Sequence, residues 1–132
     1  MTDPRTPSKV SIIQAEALEK YIPPEGGMRY VQWKGLTLTV RTMITFREMV
    51  ELVEGVAASC RDSRDGSVHP ACMEAALRDA VLMRYAFVET PEDVEARMRL
   101  LFGTSLYETV CAAVNGEQLE AIKSAVRMCL RM

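Results

Sequence analysis

Cys60, His69 and Cys72 are the residues whose types and spacing come nearest to a chemical site. They read C-x8-H-x2-C, and two thiolates with an imidazole are part of the ligand set of structural zinc. A tetrahedral site needs a fourth ligand, and none stands at a suitable spacing. The simpler reading is two helix-end cysteines flanking a loop histidine, so no metal is expected. His69 is the single histidine of the chain. A catalytic base needs an orienting partner and a nearby nucleophile, and the sequence around His69 offers neither. Glu92, Asp93 and Glu95 could pass for an acidic metal cluster, but acids in a helix first turn are explained by the helix dipole. Arg41, Arg47, Arg61 and Arg64 are offset by Glu48, Glu51, Asp62 and Asp65, which reads as a mixed solvated surface. Gly26-Gly27 lacks the strand before and helix after that a phosphate loop requires. No catalytic residue, no cofactor and no metal ligand is therefore expected, and the chain is read as a protein that is not an enzyme.

The totals allow one domain with a real core: 132 residues, 48% hydrophobic and 26% charged. A net charge of −2 gives no electrostatic steering toward nucleic acid or an anionic membrane, and neither partner is expected. No apolar run approaches the ~20 residues that span a bilayer. Residues 1–9, MTDPRTPSK, lack the apolar core of a signal peptide. Cys60, Cys72, Cys111 and Cys129 show no paired short spacing and read as small buried hydrophobes in a reducing compartment. The expectation is a cytoplasmic protein.

The elements that must carry any function centre on residues 30–48, YVQWKGLTLTVRTMITFRE. Lys34-Gly35 is a two-residue connection with Gly where a type I′ turn needs φ > 0. Pairing across it sets Trp33 opposite Leu36, Val31 opposite Leu38 and Arg29 opposite Val40. Val31, Trp33, Leu36, Leu38 and Val40 then share an apolar face, and Tyr30, Gln32, Thr37, Thr39 and Arg41 the polar one. Thr45 to Glu48 is a capping box, with Ile44 and Met49 placed as a hydrophobic staple. The helix it opens carries Phe46, Met49, Val50, Val53, Val56, Ala57 and Cys60 as one apolar stripe.

Before the hairpin, residues 1–8 read as mobile and 8–22 as a moderate helical stripe that Pro23-Pro24 stops. Glu25-Gly26-Gly27 reads as a joint, so residues 1–27 form a mobile or loosely packed arm and 28–132 the domain proper. After the capped helix comes a polar loop around Asp65-Gly66. A central helix over about 71–88 follows, apolar on more than one side. Thr90-Pro91-Glu92-Asp93 opens the next helix, which Gly103 ends. Ser105 with Glu108 repeats the capping-box pattern, Asn115-Gly116 is a break, and a last helix runs over about 117–130. The expected fold is α+β and mainly α: an N-terminal β-hairpin followed by a compact bundle of about five helices.

The run Val31-Gln32-Trp33-Lys34-Gly35-Leu36-Thr37-Leu38-Thr39-Val40, then Thr45-Phe46-Arg47-Glu48-Met49 and Val53, resembles small proteins encoded among the virion-assembly genes of tailed bacteriophages and prophages. It is similar in style to their tail assembly chaperones. The resemblance implies a non-enzymatic role in virion or tail assembly, in the host cytoplasm or associated with the virion, and carries over no functional residue. The residues point the same way: a hairpin with open edges and a jointed arm suit binding of a phage structural protein, a host protein or a second copy. Tyr30, Gln32, Thr37, Thr39 and Arg41 are the expected protein-binding residues. Nine methionines, with Met28 and Met43 at the open end of the hairpin, fit an adaptable contact surface. The rival reading is a small phage-encoded, anti-CRISPR-like inhibitor of a host defence system.

Overall fold

Both residues of the Lys34-Gly35 turn have positive φ, 48° and 78°, as a type I′ turn demands. The turn joins β1 (Met28–Trp33) to β2 (Leu36–Arg41), with Trp33 opposite Leu36, Val31 opposite Leu38 and Arg29 opposite Val40. This is the register that the alternation predicts. In the computed structural model, which describes residues 11–24, 26–61 and 69–131, the fold is α+β and mainly helical, with the antiparallel hairpin preceded by one short helix and followed by five more. Leu38 and Val40 are buried and Val31 and Trp33 half-buried, while Leu36, next to the turn, stays exposed.

The Thr45 capping box forms in full. The Glu48 amide donates to Thr45 Oγ1 at 3.1 Å, and the Thr45 amide donates back to Glu48 Oε1 at 3.4 Å. The helix it opens, α2 (Phe46–Cys60), buries Leu52, Val53, Val56, Ala57 and Cys60, and Ile44 with Met49 joins the core. Phe46 departs from the expected stripe. It is 76% exposed in the first turn, where it borders a cleft with Pro23, Pro24 and Met43 rather than the core.

Four further helices complete the body: α3 (Pro70–Tyr85), α4 (Val94–Gly103), α5 (Leu106–Ala113) and α6 (Gly116–Arg131). α3 is central, packing on α2, α4 and α5 through Leu77, Val81, Leu82 and Tyr85. Two start signals resolve differently from the sequence reading. α4 begins at Val94 because the Asp93 carboxylate, not Thr90, caps it, accepting from the Ala96 amide at 2.9 Å. At α5 the Ser105 hydroxyl makes no cap; it accepts the Trp33 indole N–H at 3.0 Å, and Glu108 turns to Arg78 at 3.3 Å. α5 ends at Ala113 with Val114 as its C-cap, and Asn115 caps α6, its Oδ1 accepting from the Gln118 amide at 2.9 Å.

The N-terminal stripe folds less than its periodicity suggests: α1 spans only Ala15–Glu19 and buries nothing. The expected mobile start and the Asp65-Gly66 loop lie outside the described residues. β2 does not keep a free edge. Val40 bridges Ala86, just past α3, and the Phe87 amide donates to the Thr39 carbonyl at 3.1 Å.

Among the described residues, Gln118 is the buried polar side chain of the core. Its Oε1 accepts the Ile44 amide at 2.9 Å and the Tyr85 hydroxyl, and its Nε2 donates to the Ile44 carbonyl at 2.9 Å. Gln118→Leu leaves three buried polar groups unpaired and is expected to cost about 3 kcal/mol in urea melts. Thr45→Ala, losing an exposed cap, should cost about 1 kcal/mol. Equal costs for the two would show that the Gln118 bonds add little beyond a cap.

Candidate protein-binding face

The polar side of the hairpin is wider than two strands. Pairing of Val40 with Ala86 puts Phe87 level with Thr39, and Thr39 is level with Tyr30 on β1. Residues level across a sheet share a face. One row therefore reads Tyr30, Thr39, Phe87, with an aromatic at each end. Tyr30 is 71% exposed and Phe87 60%. The next row toward the turn is Gln32 and Thr37, both exposed, and the Gln32 side-chain amide donates to Thr37 Oγ1 at 2.8 Å.

Arg41, the fifth residue expected on this face, is half-buried and committed to the fold. Its guanidinium donates twice to the Glu48 carboxylate, at 2.8 and 2.9 Å, the bidentate geometry of a strong charge-assisted pair. Arg84 extends the pair, 3.8 Å from Glu48 and 3.2 Å from Glu51. Glu48 thus closes the capping box and clamps the base of β2 to the start of α2. The Arg41 hydrogen bonds hold its carboxyl well below the usual carboxylate range, at about 2. Tyr85, beneath this cluster, has its phenol pushed up by burial.

The outer edge of β1 is a second candidate surface. Trp33, Val31 and Arg29 exchange backbone bonds with β2, so the intervening Tyr30 and Gln32 turn their amides and carbonyls outward. Among the described residues nothing is bonded to them. Below this edge the Gly27 carbonyl accepts both the amide and the hydroxyl of Thr42, at 2.9 and 3.2 Å. A Cβ at Gly27 would stand 2.6 Å from Thr42 Oγ1, so the clamp that roots the arm needs glycine there.

The groups weighed for metal or catalysis do not converge. Cys60 is buried at the end of α2 with its thiol pushed up by burial, Cys72 is exposed in the first turn of α3, and His69 precedes Pro70 at that helix start. Among the described residues no group of three or more His, Cys, Asp or Glu is placed to hold a metal ion. Phe87 is the face residue that sequence reasoning missed. The sequence carries no separate signal for it, because Tyr85, Ala86, Phe87 and Val88 form an unbroken apolar run that continues the pattern of α3.

Glu48 sets an acid dependence. A carboxyl whose folded value is depressed from about 4.5 to about 2 contributes stability above about pH 4.5 and loses it as pH falls toward 2. Discounted for solvent screening, the loss should be about 2 kcal/mol. Thermal melts from pH 7 to pH 2 should show Glu48→Gln less stable than wild type at neutral pH and nearly equal to it at the acid end. Parallel curves would assign the acid limb to other groups. The chain matches no family model, no curated protein and no solved structure.

Proposed function

We propose that the chain is a non-enzymatic protein-binding component of virion or tail assembly in a tailed bacteriophage or prophage. The observation that carries the binding half of this reading is the row Tyr30, Thr39, Phe87. Two exposed aromatics flank a threonine on a sheet held from below by the Arg41–Glu48 pair. Aromatics are the residues most enriched at interface centres, and hydrogen-bonding groups such as Gln32 and Thr37 suit the rim. The open amides and carbonyls of Tyr30 and Gln32 add a place for an extended segment of the partner to lie alongside β1. The arm is the second binding element. The assembly half of the reading rests on the resemblance of residues 31–53 to phage virion-assembly proteins, and it places the protein in the host cytoplasm or on the virion.

A photo-crosslinking residue at Tyr30, in cells producing the virion, is expected to capture a structural protein of the same phage genome. Phe87→Ala should weaken that adduct severalfold while leaving the thermal midpoint unchanged. The same probe at Arg127, exposed on α6 and lining neither the face nor the cleft beside the arm, serves as the control. Capture of a host defence protein instead would replace assembly with inhibition, and equal labelling at both positions would remove the face from the function.

A further inference from the structure

The two long edges of the hairpin are treated differently by the rest of the chain. β2 is covered: Val40 bridges Ala86, and the Thr39 carbonyl accepts the Phe87 amide at 3.1 Å. β1 is not. Its outward residues are Met28, Tyr30 and Gln32, since Arg29, Val31 and Trp33 turn their backbone groups to β2. All three side chains are exposed, Met28 by 47% and Tyr30 by 71%. Among the described residues no backbone bond reaches this edge from outside the hairpin. Proteins blunt a free edge with proline, lysine, a bulge or a covering loop. β1 reads MRYVQW and pairs one-to-one with β2, so it has no proline, no lysine and no bulge. The described part of the arm does not cover it either. Gly26, at φ 72°, turns the chain out of the strand line, and the clefts bordered by Tyr21, Pro23 and Pro24 are lined by no residue of β1.

We propose that a second copy of the chain lies on this edge, the two β1 strands pairing antiparallel about a two-fold axis at Tyr30. The inference rests on the β1 edge as a binding element in the function proposed above, and it names what occupies that edge. A strand's own reversed copy carries outward groups at the same two-residue spacing, so the contact is self-complementary and closes at two copies. With Tyr30 opposite Tyr30 of the second copy, Met28 falls opposite Gln32, and every outward residue meets an outward residue. That register makes about six backbone hydrogen bonds, and any other antiparallel register makes about four at most. The side chains agree with it. On the open face the two Tyr30 rings stand side by side, a favourable cross-strand pair. On the opposite face Arg29 falls across from Val31, which is half-buried. Arg29 is exposed and makes no ion pair among the described residues, so its aliphatic stem covers Val31 of the second copy while the guanidinium stays in water. The aromatic row then runs on across the axis, Phe87, Thr39 and Tyr30 followed by the same three reversed, and remains open above the sheet to a separate partner. Two six-residue strands laid edge to edge cover on the order of 1,000 Å², the low end of interface sizes, so this dimer dissociates in the micromolar range.

Sedimentation of the purified full chain is expected to show monomer and dimer in exchange, the dimer share rising across the micromolar range. Amide exchange at Met28, Tyr30 and Gln32 should slow as the concentration rises, while that of Val31, bonded within the hairpin, stays unchanged. Gln32→Pro removes an outward N–H, a change that an edge strand tolerates, and should be monomeric with an unchanged circular dichroism spectrum. Gln32→Ala keeps the amide and should still dimerise. A wild-type chain that stays monomeric, exchange at the three amides that ignores concentration, or a dimer that survives Gln32→Pro overturns the proposal. Should Gln32→Pro unfold, the wild-type amide exchange decides alone. Phe87→Ala leaves β1 intact and should keep the dimer. A monomeric chain therefore leaves the aromatic row free to bind a different protein, and failure of the Tyr30 crosslink to a virion protein leaves the dimer standing.

Discussion

The buried side-chain amide of Gln118 is the joint on which the relative placement of hairpin and helices depends. Ile44 lies between β2 and α2, is 4% exposed, and belongs to no strand. Its amide and carbonyl still require partners, because an unpaired buried backbone group costs as much as a lost hydrogen bond. Gln118 supplies both, taking the place of a neighbouring strand, and uses its oxygen a second time for the Tyr85 hydroxyl. The backbone completes the joint, with the Asn115 amide donating to the Thr42 carbonyl at 2.7 Å. At the third position of α6, Gln118 could have turned back on its own helix start as a capping glutamine does. It reaches outward instead, and so couples α6, α3 and the linker across 74 residues of sequence.

A second hub fixes the middle of α3, two turns before Tyr85. The Arg78 guanidinium lies 4.6 Å from the Phe102 ring and 4.7 Å from the Tyr107 ring, and donates to Glu74 and to the Leu101 carbonyl, both at 2.9 Å. Arginine suits this place because its planar group stacks on rings while its edge donates in several directions. Between the two hubs α3 has little freedom to shift. The strand-like extension at Ala86 and Phe87 inherits that rigidity, and with it the far end of the aromatic row. The Arg41–Glu48 clamp does the same for β2. The candidate face is thus ordered before any partner arrives.

The hairpin was legible in the sequence because its determinants are local. A two-residue turn with glycine at its second place sets the register, and alternation sets the face. The Thr45 box was legible for the same reason: donor and acceptor lie three residues apart, and Glu48 keeps its bond to the Thr45 amide while also accepting from Arg41. The same pattern at Ser105 misled because a residue 72 positions away, Trp33, takes the hydroxyl. Thr90 misled because Asp93 offers a stronger acceptor three residues before the Ala96 amide. Phe46 follows the period of its stripe but stands in a first turn that no other helix covers among the described residues. Gln118 was not legible at all. A glutamine near the start of an amphipathic helix looks like a solvated residue until tertiary structure brings Ile44 to it. Phe87 was absorbed into the apolar run of α3, since periodicity cannot say where a helix ends when the next residues pair with a strand.

The two proposed contact elements differ in what ordering they require. Tyr30 and Phe87 project from a sheet whose backbone is already fixed, so a partner meeting them loses mainly the freedom of a few side chains, of order 0.5–1.5 kcal/mol each. The arm is different. α1 is five residues long and makes no buried contact, below the length at which a helix holds itself together in water. Docking the arm must therefore include ordering it, and part of its apolar gain is offset in doing so. A rigid face suits rapid recognition of a separate partner, whereas an arm that must be ordered suits a contact made once and kept.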